Sequence, residues 1–218
     1  MSKLKFTGEK LAQEKERLAN LYFYEKDLHN QGYKFIAGTD EAGRGPIAGP
    51  VIAASVILKP DTYLEGLNDS KKVSPKKRDK LYDEIIDKCV SYGIKVIDNE
   101  EIDRINILQS SCLAMKLAID EMDITPEYVL VDGLENKLIT LPQIHLVKGD
   151  SKSASIAAAS ILAKVHRDRI MEEYDLLYPQ YGFASHKGYP TKKHIQAVMD
   201  YGILKIHRKT FTPISKLL

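Results

Sequence analysis

The chain has 218 residues, a length for one domain with a modest extension, and its 44% hydrophobic and 28% charged residues suffice for a core without disulfide or metal staples. A net charge of +2 excludes a uniformly basic coat, although residues 151–218 carry +6 and residues 1–150 carry −4, which suggests a basic surface beside an acidic site. Two cysteines, Cys89 and Cys112, exclude a disulfide scaffold or a cysteine zinc site and read as reduced, half-buried helix residues. No apolar run nears the ~20 residues of a membrane span. The N-terminal MSKLKFTGEKLAQEKERL lacks a signal-peptide core. The reading is a soluble, cytoplasmic protein.

In chain order, Leu11, Leu18, Leu21, Tyr22, Tyr24 and Leu28 give one helical stripe over 9–31, closed by Gly32. Residues 1–34 are therefore read as a helical extension, too short to fold alone. Phe35–Asp40 is an expected strand, followed by the glycine-rich turn Gly43–Gly49 and a buried strand Val51–Leu58, together a hairpin. A loop over Asp61–Ser74 leads to a helix from Pro75 to about Val90, with Ser74 as its N-cap. Gly93–Asp98 reads as a strand and Glu100–Met122 as one long helix. Tyr128–Asp132 and Gln143–Lys148 are strands, and Ser155–Tyr178 is a helix whose small residues permit close approach to a sheet. Tyr181–Pro190 is a loop and Thr191–Tyr201 a short helix. Mixed strands and helices predict an α/β or α+β class with a central sheet.

Acids recur where the apolar runs end. Asp40 and Glu41 follow Phe35–Ala37, Asp132 ends YVLVD, and Asp150 ends IHLVKGD. Side by side, those strands would gather four carboxylates at one sheet edge. Neighbouring strand residues face opposite ways, so Asp40 and Glu41 share a site only if strand geometry breaks, which Gly43 permits. Crowded carboxylates need cations, and an all-oxygen set suits Mg²⁺ or Mn²⁺. A pair of such ions is the usual apparatus for attack of water on a phosphodiester.

The turn Gly43-Arg44-Gly45-Pro46-Ile47-Ala48-Gly49 is not a dinucleotide fingerprint, because its third glycine falls late and Pro46 removes a donor. No P-loop occurs, so no nucleotide cofactor is expected. Six basic residues and one acid fall within 71–80, a patch suited to backbone phosphates or simply a solvated face. Ser151, Lys152 and Ser153 sit at a helix entrance, an expected anion site. Tyr189, in a glycine- and proline-bounded loop, can stack on a sugar or base. His166 reads as a polar-face helix residue and His186 as a loop residue near substrate.

The runs GTDEAGRGPIAGPVIAA (38–54), LNDSKKVSP (67–75), YVLVDG (128–133), KGDSKSASIAAASILAKVHRDR (148–169), SHKGYPTKKH (185–194) and HRKTF (207–211) closely resemble bacterial ribonuclease HII. The resemblance implies a ribonuclease H-like α/β fold for residues 35–218, a mixed five-stranded sheet flanked by helices with a helical C-terminal region. It implies hydrolysis of the RNA strand of RNA–DNA hybrids and incision 5′ to single ribonucleotides in duplex DNA, leaving 3′-hydroxyl and 5′-phosphate ends. Carried over by motif, Asp40, Glu41, Asp132 and Asp150 would hold Mg²⁺ or Mn²⁺. Gly43, Arg44 and Gly45 would read the ribose 2′-hydroxyl, and Tyr189 would pack on the deoxyribose 3′ of it. Lys71, Lys72, Ser151 and Ser153 would meet phosphates. The partners implied are the hybrid and the ribonucleotide-containing duplex, with no membrane and a monomeric enzyme. Ribonuclease HIII-like specificity and a silent hybrid-binding module are the alternatives.

Overall fold

The computed structural model describes residues 8–218; residues 1–7, which open the segment read for a signal peptide, lie outside them. Two helices, α1 (Gly8–Leu21) and α2 (Phe23–Asn30), replace the single expected one. Tyr22 breaks them apart and donates its hydroxyl to the Thr62 carbonyl at 2.9 Å. The two helices serve different parts of the core: Leu18 and Leu21 join one apolar cluster and Leu28 another, which one straight stripe does not reach.

Strands β1 (Ile36–Ala42) and β2 (Val51–Leu58) form the expected antiparallel hairpin. Helix α3 (Pro75–Lys88) follows; Ser74 occupies its N-cap position without a side-chain bond. Strand β3 (Cys89–Ile97) starts at once, so Cys89 is a strand residue rather than the expected helical one, while Cys112 is helical; both thiols are free and half-buried. The long helix expected over 100–122 is two, α4 (Asn99–Ile105) and α5 (Ile107–Asp120). Asn106 separates them at φ 69°, and its carboxamide oxygen accepts from the amides of Leu108 and Gln109 to start α5 anew.

Strands β4 (Tyr128–Asp132) and β5 (Gln143–Leu146) precede the long α6 (Ala154–Leu177). A four-residue helix, α7 (Phe183–His186), stands inside the expected loop, and α8 (Lys192–Tyr201) follows with Thr191 as its side-chain cap. The sheet order is β3-β2-β1-β4-β5, with β1 antiparallel to β2 and parallel to β4. The class is therefore α/β on a mixed five-stranded sheet, as expected.

Every residue of β2 is buried, because both faces of the sheet are covered. Ala54, Val56 and Leu58 face the cluster beneath α6, whereas Val51 and Ala53 face the one beneath α5. Helix α6 lies close on β1 at Gly38, where a Cβ would stand 2.2 Å from the Ile156 nitrogen. That approach fixes the helix across the strand ends where the acids lie. A third cluster, built on Ile47, Met171, Phe183 and Val198, packs the C-terminal segment behind the glycine-rich turn.

Candidate active site

The parallel register of β1 and β4 pairs Thr39 with Val131, so the next residues along each strand, Asp40 and Asp132, stand level on neighbouring strands. Strand geometry does not break at this point, contrary to expectation. The chain stays paired to β2 through Glu41 and Ala42. Asp40 lies beneath α6, where the Ser160 hydroxyl works against its proton uptake, and Glu41 lies near Cys112 of α5. Both reach one cavity because the cavity wraps round the end of the strand. Asp150 is not at a strand end either: β5 stops at Leu146, and Asp150 sits in a 3₁₀ turn, Gly149–Ser151. Asp132 ties that turn to β4 by accepting from the Gly149 amide at 2.6 Å.

The four acids line a single cavity of about 340 Å³ together with Gly43, Arg44, Gly45 and Tyr189. Burial, then the charges of Glu41 and Asp132, push the Asp40 carboxyl well above its ordinary range. Burial also raises Glu41, against the pull of Arg44, whose guanidinium donates to it at 3.4 Å. Burial and the neighbouring charges of Asp69 and Asp132 push Asp150 up to about 6. These shifts mark negative charge that Arg44 and Lys71 only partly offset. An all-oxygen donor set of this kind fits hard divalent cations. Among the described residues no three His, Cys, Asp or Glu side chains are placed to hold one ion together.

The opposite wall is the turn 43–50, held from behind. Arg208 donates to the carbonyls of Gly43 (2.6 Å), Arg44 (3.0 Å), Pro46 (2.8 Å) and Gly49 (3.0 Å). Arg167 donates to those of Ala48 (3.2 Å), Pro50 (3.0 Å) and Lys187 (2.9 Å). Gly43 takes φ +101°, and a Cβ there would stand 2.2 Å from Arg167 Nε, so only glycine fits. Tyr189 packs over Gly45 from a loop hung on histidines. His207 Nε2 donates to His194 Nε2 (3.1 Å), and His194 Nδ1 donates to the Tyr189 carbonyl (2.9 Å). Desolvation lowers both imidazoles to about 4, which keeps them neutral and this donor order intact.

Of the expected phosphate contacts, Lys71 lines the cavity, but Lys72 and Ser151 do not. The 3₁₀ turn Ser70–Lys72 sends consecutive side chains in different directions, and the Ser151 hydroxyl is spent on the Lys148 carbonyl at 2.8 Å. Ser153 is a correction: it is fully buried as the N-cap of α6 and donates to Glu25 at 2.6 Å. Glu25 also accepts from the Ser155 amide at 2.8 Å, so a carboxylate of α2 already fills the expected anion site. His186 is a second correction: it is buried in α7 and stacks on His194 rather than facing the cavity.

Sequence reading missed Ser160, Lys164 and Arg167 in the cavity lining. Their spacing of four and three residues puts polar groups on one face of an otherwise apolar helix, a signal present in the sequence. It also missed Asp69, which accepts from the Lys71 amide at 2.9 Å and presses on Asp150.

A family model described as ribonuclease HII matches residues 37–214. The ribonuclease HII of Acetivibrio thermocellus is 53% identical over 210 residues, covering 95% of this chain and 82% of that protein. The ribonuclease HII of Clostridioides difficile is 53% identical over 201 residues, covering 92% and 79%. Among solved structures, ribonuclease H2 from Pyrococcus horikoshii OT3 superposes with a TM-score of 0.72 at 28% identity, over 84% of this chain and 97% of that one. With the matched span running from β1 to the C-terminal segment, the chain belongs to the ribonuclease HII family and is a metal-dependent endoribonuclease of the ribonuclease H type, acting on RNA–DNA hybrids.

Proposed function

We propose that this enzyme incises duplex DNA on the 5′ side of a single embedded ribonucleotide, as well as cutting the RNA strand of hybrids. It would leave 3′-hydroxyl and 5′-phosphate ends, serve ribonucleotide removal from DNA, and act as a cytoplasmic monomer. The catalytic domain would be residues 35–218, with residues 1–34 as an N-terminal extension whose helices α1 and α2 pack on it. The observation that carries the reading is one cavity holding an acid wall and a backbone-rich glycine turn face to face.

Asp40, Glu41, Asp132 and Asp150 would hold a pair of Mg²⁺ or Mn²⁺ ions. When bound, the ions supply Lewis acidity for the attack of water and the departure of the 3′ oxygen. The chain's own part is recognition and alignment. With their carbonyls tied to Arg208, Gly43 and Arg44 are held rigid beside the cavity, where backbone and guanidinium donors meet a ribose 2′-hydroxyl. A deoxyribose leaves those donors unpaired, which selects against all-DNA duplexes. Tyr189 packs on the next sugar, and Lys71 draws in the backbone phosphate.

Cleavage mapping of an end-labelled duplex with one ribonucleotide tests this. A single nick 5′ to the ribonucleotide with either metal is expected. An intact duplex beside a cut long hybrid would replace the reading with ribonuclease HIII-like specificity.

A further inference from the structure

Three of the four acids stand on strands, Asp40 and Glu41 on β1 and Asp132 at the end of β4. The sheet's hydrogen bonds fix their backbone. Asp150 has no such support. It lies beyond the end of β5 at Leu146, in the 3₁₀ turn Gly149–Ser151.

The hold on that turn can be followed bond by bond. The Gly149 amide donates to Asp132 Oδ1 at 2.6 Å, and the Gly149 carbonyl accepts from the Ser153 amide at 2.8 Å. The Ser153 hydroxyl donates to Glu25 Oε1 at 2.6 Å, and the same oxygen accepts from the Ser155 amide at 2.8 Å. The Asp150 turn therefore hangs between two carboxylates, Asp132 on the sheet and Glu25 on α2. Apolar packing repeats the arrangement. Leu28, on the same face of α2 as Glu25, shares a cluster with Leu146, the last residue of β5, and Ile156, in the first turn of α6. Helix α2 thus grips the chain on both sides of the turn.

Capping α6 does not require this arrangement. Ser153 already accepts from the Ile156 amide at 3.2 Å as an ordinary N-cap. Glu25 adds an acid that is only 3% exposed and whose second oxygen, Oε2, has no partner among the described residues. A buried acid with an idle oxygen is an expensive way to hold a helix end, and its presence is understood if it fixes something beyond the helix.

We propose that Glu25 is a positioning residue for Asp150: through Ser153 and Gly149 it sets where the fourth acid stands, and so how tightly the acid wall takes a divalent cation. The inference rests on the function proposed above, in which Asp150 helps to hold the metal. Groups that orient metal-bearing side chains from behind typically cost about 10–100-fold in metal affinity or activity when removed.

The test titrates the full chain with Mn²⁺ alone, without substrate, and reads free Mn²⁺ by electron paramagnetic resonance. Wild type is compared with Glu25→Met, Glu25→Gln, Ser153→Ala and Asp150→Asn. Glu25→Met keeps most of the volume but removes the acceptor, and is expected to weaken Mn²⁺ binding about tenfold. Glu25→Gln keeps an oxygen for both donors and is expected to restore binding to within about twofold of wild type. Ser153→Ala cuts the same link from its other end, with an expected loss of about threefold, and serves where Glu25→Met does not fold. In cleavage of the single-ribonucleotide duplex, Glu25→Met should need about tenfold more Mg²⁺ for half-maximal rate, with kcat at saturating Mg²⁺ within about threefold of wild type. A role in stability alone would lower the thermal midpoint and leave Mn²⁺ affinity unchanged in Glu25→Met and Ser153→Ala, and that result overturns the inference. Mn²⁺ binding by Asp150→Asn as tight as that of wild type would instead remove Asp150 from the proposed metal-holding set, so the two failures are told apart.

Discussion

On one wall of the first cavity, Asp40, Glu41, Asp132 and Asp150 crowd negative charge that Arg44 and Lys71 only partly offset. On the other, Arg167 and Arg208 bury positive charge with no carboxylate in hydrogen-bond reach among the described residues, and answer it with seven carbonyl bonds. The first wall is left unsatisfied by the chain's own cations. The second is satisfied by the chain itself. Under the proposed function, chemistry on bound ions and recognition by fixed backbone call for opposite arrangements of buried charge.

The sharpest break of this contrast is Asp40→Asn. It is expected to cut activity roughly 10²–10³-fold. In metal-free buffer it should also raise the thermal midpoint by about 2–4 °C, because a buried like charge is gone. Calorimetry with EDTA beside a cleavage assay reads both. A fall in both quantities would deny that the acid wall stores repulsion.

Arg208→Met attacks the other wall and should cost stability as well as activity. Four carbonyls lose their donor, and a loss of about 3 kcal/mol or more is expected in urea unfolding. Arg208→Lys keeps the charge but not the planar fork. It should recover part of the stability while kcat/KM on the single-ribonucleotide duplex stays about tenfold down.

The smallest effect is in pH dependence, where the two walls have opposite signs. His194 and His207 titrate near 4 when folded, below the 6.5 of the free side chain, so the unfolded chain takes up protons first. Their contribution is present above pH 6.5 and lost as pH falls from there toward 4. Asp150 titrates near 6 when folded, above its ordinary 3.8, so its contribution is present below 3.8 and lost as pH rises through 6. Urea midpoints measured without metal across this range should fall less steeply with acid in His207→Gln, and more steeply in Asp150→Asn, than in wild type.

Legibility from sequence followed the range of the forces involved. The run Val51–Leu58 and the YVLVD strand were readable to the residue, because an apolar run between turn signals fixes both ends locally. The breaks at Tyr22 and Asn106 were not, because apolar spacing continues across both while the backbone turns. In the site, the acids and the glycine turn stood out by being costly or unusual. Lys72 could not be separated from Lys71 without the 3₁₀ turn that parts them. Arg167 and Arg208 drew no role of their own from the sequence, since nothing near them announces the carbonyls they hold. Ser153 was misread because its partner, Glu25, lies 128 residues away.

That last pairing bears on how distant parts of the chain depend on one another. Glu25 is made before the helix it caps, so the amide of Ser155 and the hydroxyl of Ser153 find their acceptor in a group far earlier in the chain. Helix α1 holds the loop after β2, through Arg17 on the Leu67 carbonyl and Glu14 on the Gly66 amide, while α2 holds the start of α6. The contact spans 128 residues, so it couples the helices ahead of the sheet to the segment that follows Asp150.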